Sequence, residues 1–306
     1  MPALKRKAPS PTHWPLNLRA AAGSSVDDFF AFGVSSDYDE QHEHLNPPTY
    51  HSPTSRYTQV LHYQNRQKQV ITQLTDRQSS LWWSPQGHAY GVGFTRALFQ
   101  LDASGCQEVA IQGIPGTFSD VWGVNEDHLF VCSMYRAHLL YRRFGQWQVL
   151  ALPEAVPDDL TGLAGLNERD VYCVGGQGAV LHFDGQQVRL LEVPTTRTLI
   201  CAAALDAQHL CIGGNSGTLL FGNQHGWRLI PTGTLEPIFS LAQYRGTVCF
   251  ATPSGVYSFD GKQPPSLLLS QVARTVYSVG AGLVLVLDAA AWLFDGQKLF
   301  PLDTLL

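Results

Sequence analysis

Asp170-Val171-Tyr172-Cys173-Val174-Gly175-Gly176-Gln177-Gly178-Ala179-Val180-Leu181-His182-Phe183-Asp184-Gly185 is the clearest copy of a phrase that this chain repeats. A second copy runs His209-Leu210-Cys211-Ile212-Gly213-Gly214-Asn215-Ser216-Gly217-Thr218-Leu219-Leu220-Phe221-Gly222. A third runs Val248-Cys249-Phe250-Ala251-Thr252-Pro253-Ser254-Gly255-Val256-Tyr257-Ser258-Phe259-Asp260-Gly261. Each copy joins two short alternating apolar runs through a glycine-bearing connection. Short strands recurring at a period of about forty residues predict a β-propeller.

The period extends over the chain. The units fall at 12–75, 76–116, 117–156, 157–195, 196–235, 236–272 and 273–306, after an N-terminal tail of residues 1–11 that is expected to be flexible. Each unit parses into four strands, A to D, which makes the fold class all-β: one seven-bladed propeller domain of four-stranded blades. Asp184-Gly185, Asp260-Gly261 and Asp295-Gly296 predict hairpin turns of the type whose two central residues take positive φ. Phe144-Gly145, Phe221-Gly222 and Asn65-Arg66 read as degenerate versions of the same turn.

With 44% hydrophobic and 15% charged residues, the 306-residue chain can bury a large core. A net charge of -5 argues against a groove that neutralises phosphates, so no nucleic acid is expected as a partner. The basic start Lys5-Arg6-Lys7 is followed by prolines and not by an apolar stretch, and no eighteen-residue apolar run occurs, so neither an export signal nor a membrane partner is expected. Four of the six cysteines, Cys132, Cys173, Cys211 and Cys249, recur at one strand position. They read as small buried residues too far apart to form disulfides, in a cytoplasmic protein.

The units resemble a family of bacterial propeller repeats whose typical copy reads roughly "DVWAVG..GTILHYDG..W"; Asp170–Gly185 carries most of that phrase, and Val121-Trp122-Gly123-Val124-Asn125 is similar to its opening. The resemblance covers nearly the whole chain. It implies architecture and no particular activity, because propellers host enzymes, receptors and scaffolds. The recurring Gly-His and Trp-Asp pairs of the WD40 repeat are missing, as is the Asp-box of sialidases.

The glycine runs at 175–178 and 213–217 lack the lysine and the helix of a phosphate loop, and read as tight connections. Trp82-Trp83 reads as packing between blades, its two rings pointing to opposite faces of a strand. One segment breaks the repeat: Ser35–Ser55, inserted between strands B and C of blade one, with Asp37, Asp39, Glu40 and Glu43, the histidines His42, His44 and His51, and Tyr38 and Tyr50. It admits three readings: a zinc site on His42 and His44 with Asp37 or His51, a solvated acidic loop, or a partner-binding loop. B–C and D–A connections share one face of a propeller. That face is expected to carry Arg96, Phe118, Asp120, Met134, Tyr135, Arg136, Asp158, Asp159, Arg197, Glu236 and Arg274, with the Met134-Tyr135-Arg136 tip standing where later units have glycine.

No catalytic residue, cofactor or metal is assigned. The expected function is non-catalytic binding of another protein by a monomer. The partner-binding residues are Asp37, Tyr38, Asp39, Glu40, Glu43, Tyr50, Arg96, Phe118, Asp120, Met134, Tyr135, Arg136, Asp158, Asp159 and Arg197. The kind of bacterial chain it resembles implies an immunity-type protein that covers the active surface of a toxin or effector. The alternatives are a metal-dependent propeller lyase or hydrolase, and a scaffold subunit of a larger assembly.

Overall fold

The computed structural model describes residues 17–36, 56–75, 77–94, 97–111, 117–287 and 290–302. Seven four-stranded antiparallel sheets surround a central channel as the blades of a β-propeller, and each is built from four consecutive strands. Blade 1 has strands Asn17–Ser25, Asp28–Ser36, Arg56–Gln64 and Gln67–Thr75. The inner A strands of blades 2 to 7 are Gln78–Trp83, Thr117–Asn125, Leu160–Asn167, Leu199–Ala204, Ala242–Tyr244 and Thr275–Val279.

The core lies between blades, where the alternating faces of strands B and C meet the inner strand of the next sheet. Phe130 in blade 3 stacks on Tyr141 with ring centroids 4.4 Å apart, and both meet Phe183 of blade 4. Trp82 packs into the cluster shared by blades 2 and 3, and Trp83 into the cluster shared by blades 1 and 2, so the two rings serve opposite sides of one strand. The ring closes by packing of blade 1 on blade 7. Leu18, Phe29, Leu61 and Tyr63 share a buried cluster with Val279, Val284, Leu293 and Leu302. Among the described residues, no strand crosses from one end of the chain into the other end's blade.

A hoop of side-chain hydrogen bonds joins the blades around the channel. Thr58 Oγ1 accepts from the Gln78 amide at 3.0 Å. Ser79 Oγ donates to the Ser119 carbonyl at 3.2 Å, Ser119 Oγ to Leu160 at 2.6 Å, and Thr161 Oγ1 to Leu199 at 2.8 Å. Cys201 Sγ donates to Ile238 at 3.5 Å, and Ser240 Oγ accepts from the Val276 amide at 2.7 Å. The Tyr277 hydroxyl donates to the Arg19 carbonyl and completes the circuit. Neighbouring blades approach closely here, so side-chain hydroxyls and a thiol can pair with main-chain carbonyls and amides of the next sheet. Replacing Thr161 by Val keeps the shape and removes the donor to the Leu199 and Val174 carbonyls, and is expected to cost about 1–2 kcal/mol in urea unfolding. An unchanged midpoint would show that this link carries no stability.

One sequence expectation is corrected and another is refined. The Asp-Gly turns do not have positive φ at both central residues; only Gly185, Gly261 and Gly296 do. Each aspartate instead accepts two main-chain amides, as Asp184 does from Gln186 and Gln187, both at 2.9 Å. Those amides hold the Asp184 carboxyl below its ordinary range. The doubly positive turns occur at Asn65-Arg66, Phe144-Gly145 and Arg245-Gly246, while Phe221-Gly222 lies within strand C of blade 5. The cysteines are free thiols, as the sequence reading has them, but two of them touch across a blade boundary. The Cys132 and Cys173 thiols, in the B strands of neighbouring blades 3 and 4, hydrogen-bond each other; burial first, and this contact second, raise the Cys173 pKa. Both are free thiols buried in one apolar cluster.

Candidate partner-binding face

Because consecutive strands alternate in direction, the starts of A and C and the ends of B and D lie on one face of the ring. The insertion after strand B of blade 1 joins two residues, Ser36 and Arg56, that pair with each other at this face. Asp37, Tyr38, Asp39, Glu40, Glu43, Tyr50 and Arg96 lie outside the described residues.

The B–C connections of blades 3, 4 and 5 share one backbone feature. Each places a non-glycine residue in the left-handed region: Tyr135 (φ 65°), Gln177 (φ 55°) and Ser216 (φ 54°). In blades 4 and 5 glycine follows, and the loop packs tightly. A Cβ on Gly217 would lie 1.9 Å from the Thr234 carbonyl oxygen. In blade 3 the tip carries Tyr135, 66% exposed. A bulky residue in this region costs roughly 1–2 kcal/mol, so its place needs a local support. The support is visible. The Tyr135 amide donates to Asp159 Oδ1 at 3.1 Å, Ser133 Oγ donates to the Arg136 carbonyl at 2.7 Å, and His138 Nδ1 donates to the same carbonyl at 2.7 Å. The Asp159 carbonyl in turn accepts from the Gly176 amide at 3.0 Å, which ties the blade 3 and blade 4 loops to one D–A connection.

Tyr135, Arg136, Asp158, Asp159 and Arg197 are therefore exposed on one face, with Met134 half-buried at the end of its strand. Arg197 reaches the Ser216 carbonyl at 3.1 Å and links the next two connections. Glu236 is exposed beside them, and Leu235, 82% exposed, is a large apolar side chain on this face that the sequence reading missed. A single leucine between Gly233 and Glu236-Pro237 was its only trace.

Two residues assigned to this surface are not on it. Phe118 belongs to the inner strand of blade 3, opposite Ser133, and is buried among Val92, Leu98 and Val131. The carboxylate of Asp120 is engaged within the ring. It accepts from Ser80 Oγ of blade 2, from its neighbour's amide (Val121, 2.9 Å) and from the Leu163 amide of blade 4 (2.7 Å). Burial outweighs these donors and pushes its pKa up to about 6.

Among the described residues, no three His, Cys, Asp or Glu side chains gather as a metal-ligand set. His62 and His182 each bond the aspartate that opens strand B of their own blade, Asp28 at 2.7 Å and Asp170 at 2.8 Å. These are ties within a sheet. No helix among the described residues is long and apolar enough to cross a membrane.

The chain is 28% identical over 185 residues to a curated protein named Immune protein Tsi7 from Pseudomonas aeruginosa. That match takes in 53% of this chain and 59% of the relative, so the chain spans less than two thirds of the relative's length. No family model matches the chain. Among solved structures it superposes on the WD40 β-propeller domain of Doa1 with a TM-score of 0.68 at 10% identity, covering 94% of this chain and 95% of that one. YCF48 from Cyanidioschyzon merolae gives 0.61 at 13% identity, covering 96% and 99%. Streptogramin B lyase gives 0.61 at 12%, covering 73% and 82%. At these identities the structural neighbours speak to the propeller fold alone.

Proposed function

We propose that the chain is an immunity-type protein that binds a toxin or effector in the cytoplasm as a monomer, and neutralises it by covering its active surface without catalysis. The similarity to a protein named as an immune protein carries this reading. The blade 3 tip supports it, since a tyrosine held exposed in a strained conformation by Asp159 suits a rigid anchor. Large aromatic and arginine side chains on a fixed loop are the residues that dominate binding energy at interfaces. The acidic insertion starts from the same face, and its carboxylates would complement a basic partner surface.

The test begins with affinity capture of the tagged chain from cells that make it, followed by purification of any stoichiometric partner. The double variant Tyr135→Ala/Arg136→Ala is then expected to weaken binding by roughly 30-fold or more, as for a hot spot of about 2 kcal/mol or above. Unaltered affinity in that variant would move the contact to another face. Restored activity of the captured partner after release from the complex checks the neutralising role.

A further inference from the structure

The outer strand of blade 4, Val188–Leu191, is the last in its sheet; among the described residues it pairs with one strand only, which leaves its far edge open. The connection that enters this blade packs beside it: Leu152 and Val156 lie against the buried cluster that holds Phe183 and Val188. Two hollows open there. One, of about 320 Å³, has Leu152, Pro153, Phe183 and Val188 in its wall. The other, of about 220 Å³, has Ala155, Pro157, Ala179, Leu190 and Val193 in its wall. Val188 and Leu190 are two residues apart on the strand, so they share one side of it, one at each hollow. Leu190 is 41% exposed although it is apolar. The rim is acidic. Glu154 lies between Pro153 of the one hollow and Ala155 of the other, Asp158 follows Pro157, and Glu192 follows Leu191; all three are exposed. The cation on the strand, Arg189, is already 3.3 Å from the Asp184 carboxylate.

We propose that this edge of blade 4 docks an extended, cationic segment of another protein. Alternate apolar side chains of the segment fill the two hollows, and its Lys or Arg residues face Glu154, Asp158 and Glu192. An open sheet edge offers main-chain N–H and C=O groups to a strand laid beside it, and hollows for alternate side chains supply selectivity. An extended chain presents such side chains at the same two-residue spacing as Val188 and Leu190. The carboxylates on the rim fix the sign of the charge that fits. The site adjoins the candidate face at Asp158 but stands without the immunity reading.

The experiment is selection of a phage-displayed library of random peptides on the immobilised full chain, followed by titration of the enriched peptides in solution. Enriched sequences are expected to share Lys or Arg beside apolar residues spaced by two. Their affinity is expected to fall about tenfold or more in Leu190→Ser and in the double variant Glu154→Lys/Glu192→Lys. Leu229→Ser removes an exposed leucine from the outer strand of blade 5, and is expected to bind as the parent does. So is Tyr135→Ala/Arg136→Ala, which keeps this test apart from that of the candidate face. Absence of any enrichment overturns the site. Peptides weakened by Leu190→Ser but not by the two lysines overturn the cationic occupant. Peptides weakened equally by Leu229→Ser reduce the effect to outer strands in general, and peptides weakened only by Tyr135→Ala/Arg136→Ala belong to the candidate face; either result overturns the assignment. All the substituted side chains are exposed, and melting curves matching the parent's exclude unfolding as the cause.

Discussion

Replacing Gly280 by Ala is expected to destabilise the protein by about 2–5 kcal/mol, combining roughly 1–2 for a left-handed residue with about 1–3 for steric overpacking. Gly280 follows the inner strand of blade 7, at φ 55°, and its amide donates to the Gly23 carbonyl of blade 1 at 3.2 Å. A β-carbon there would stand 2.2 Å from the Ser24 carbonyl oxygen, and backbone cannot give way as a side chain can. The two blades would have to part where the ring closes. Gly246, at φ 77°, has nothing within 4 Å of the same hypothetical atom, so Gly246→Ala pays the conformational part alone. Urea unfolding of the two variants separates the terms. Equal losses would mean that contact between blades 7 and 1 is not what holds the ring shut.

The second large effect is a pH dependence written on Asp120. Its folded pKa of about 6 lies above the ordinary 3.8, so the folded protein holds this proton more tightly than the unfolded chain does. The group's favourable contribution is full below about pH 4 and is lost as pH rises through about 6. A shift of roughly two units corresponds to about 3 kcal/mol. The stability difference between the parent and Asp120→Asn is therefore expected to shrink by about that amount from pH 4 to pH 7 and then to level off. Taking the difference cancels the other carboxylates, including Asp184, whose lowered pKa acts in the opposite direction. A difference that stays constant across the range would show that burial does not control this carboxyl.

The blades were legible because their outer parts obey local rules. Alternating residues such as Val171 to Val174 and Val180 to Phe183 pair as the repeat implies. The inner strands were less legible. Their polar residues, among them Ser79, Ser119 and Thr161, face neighbouring blades, and a contact between repeats leaves no period within one repeat. Phe118 was misplaced for that reason: Thr117-Phe118-Ser119 reads as a loop until the strand is seen to start at Thr117. The Asp-Gly turns were misassigned because side-chain acceptance by aspartate competes with the backbone geometry that the dipeptide suggests. For the candidate face, the tip Tyr135-Arg136 could be found as a break in the glycine pattern. Its support by Asp159 depends on the ring itself.

Among the described residues the ring closes without an exchanged strand, and this has a consequence for assembly. The surfaces of blades 1 and 7 that meet at the seam are different and complementary. If the seam opens, each finds the same match on another copy as on its own chain. Such head-to-tail contacts close only for particular rotations and otherwise propagate. Dilution should therefore favour the intact ring, and crowding of opened chains should favour larger circles or filaments.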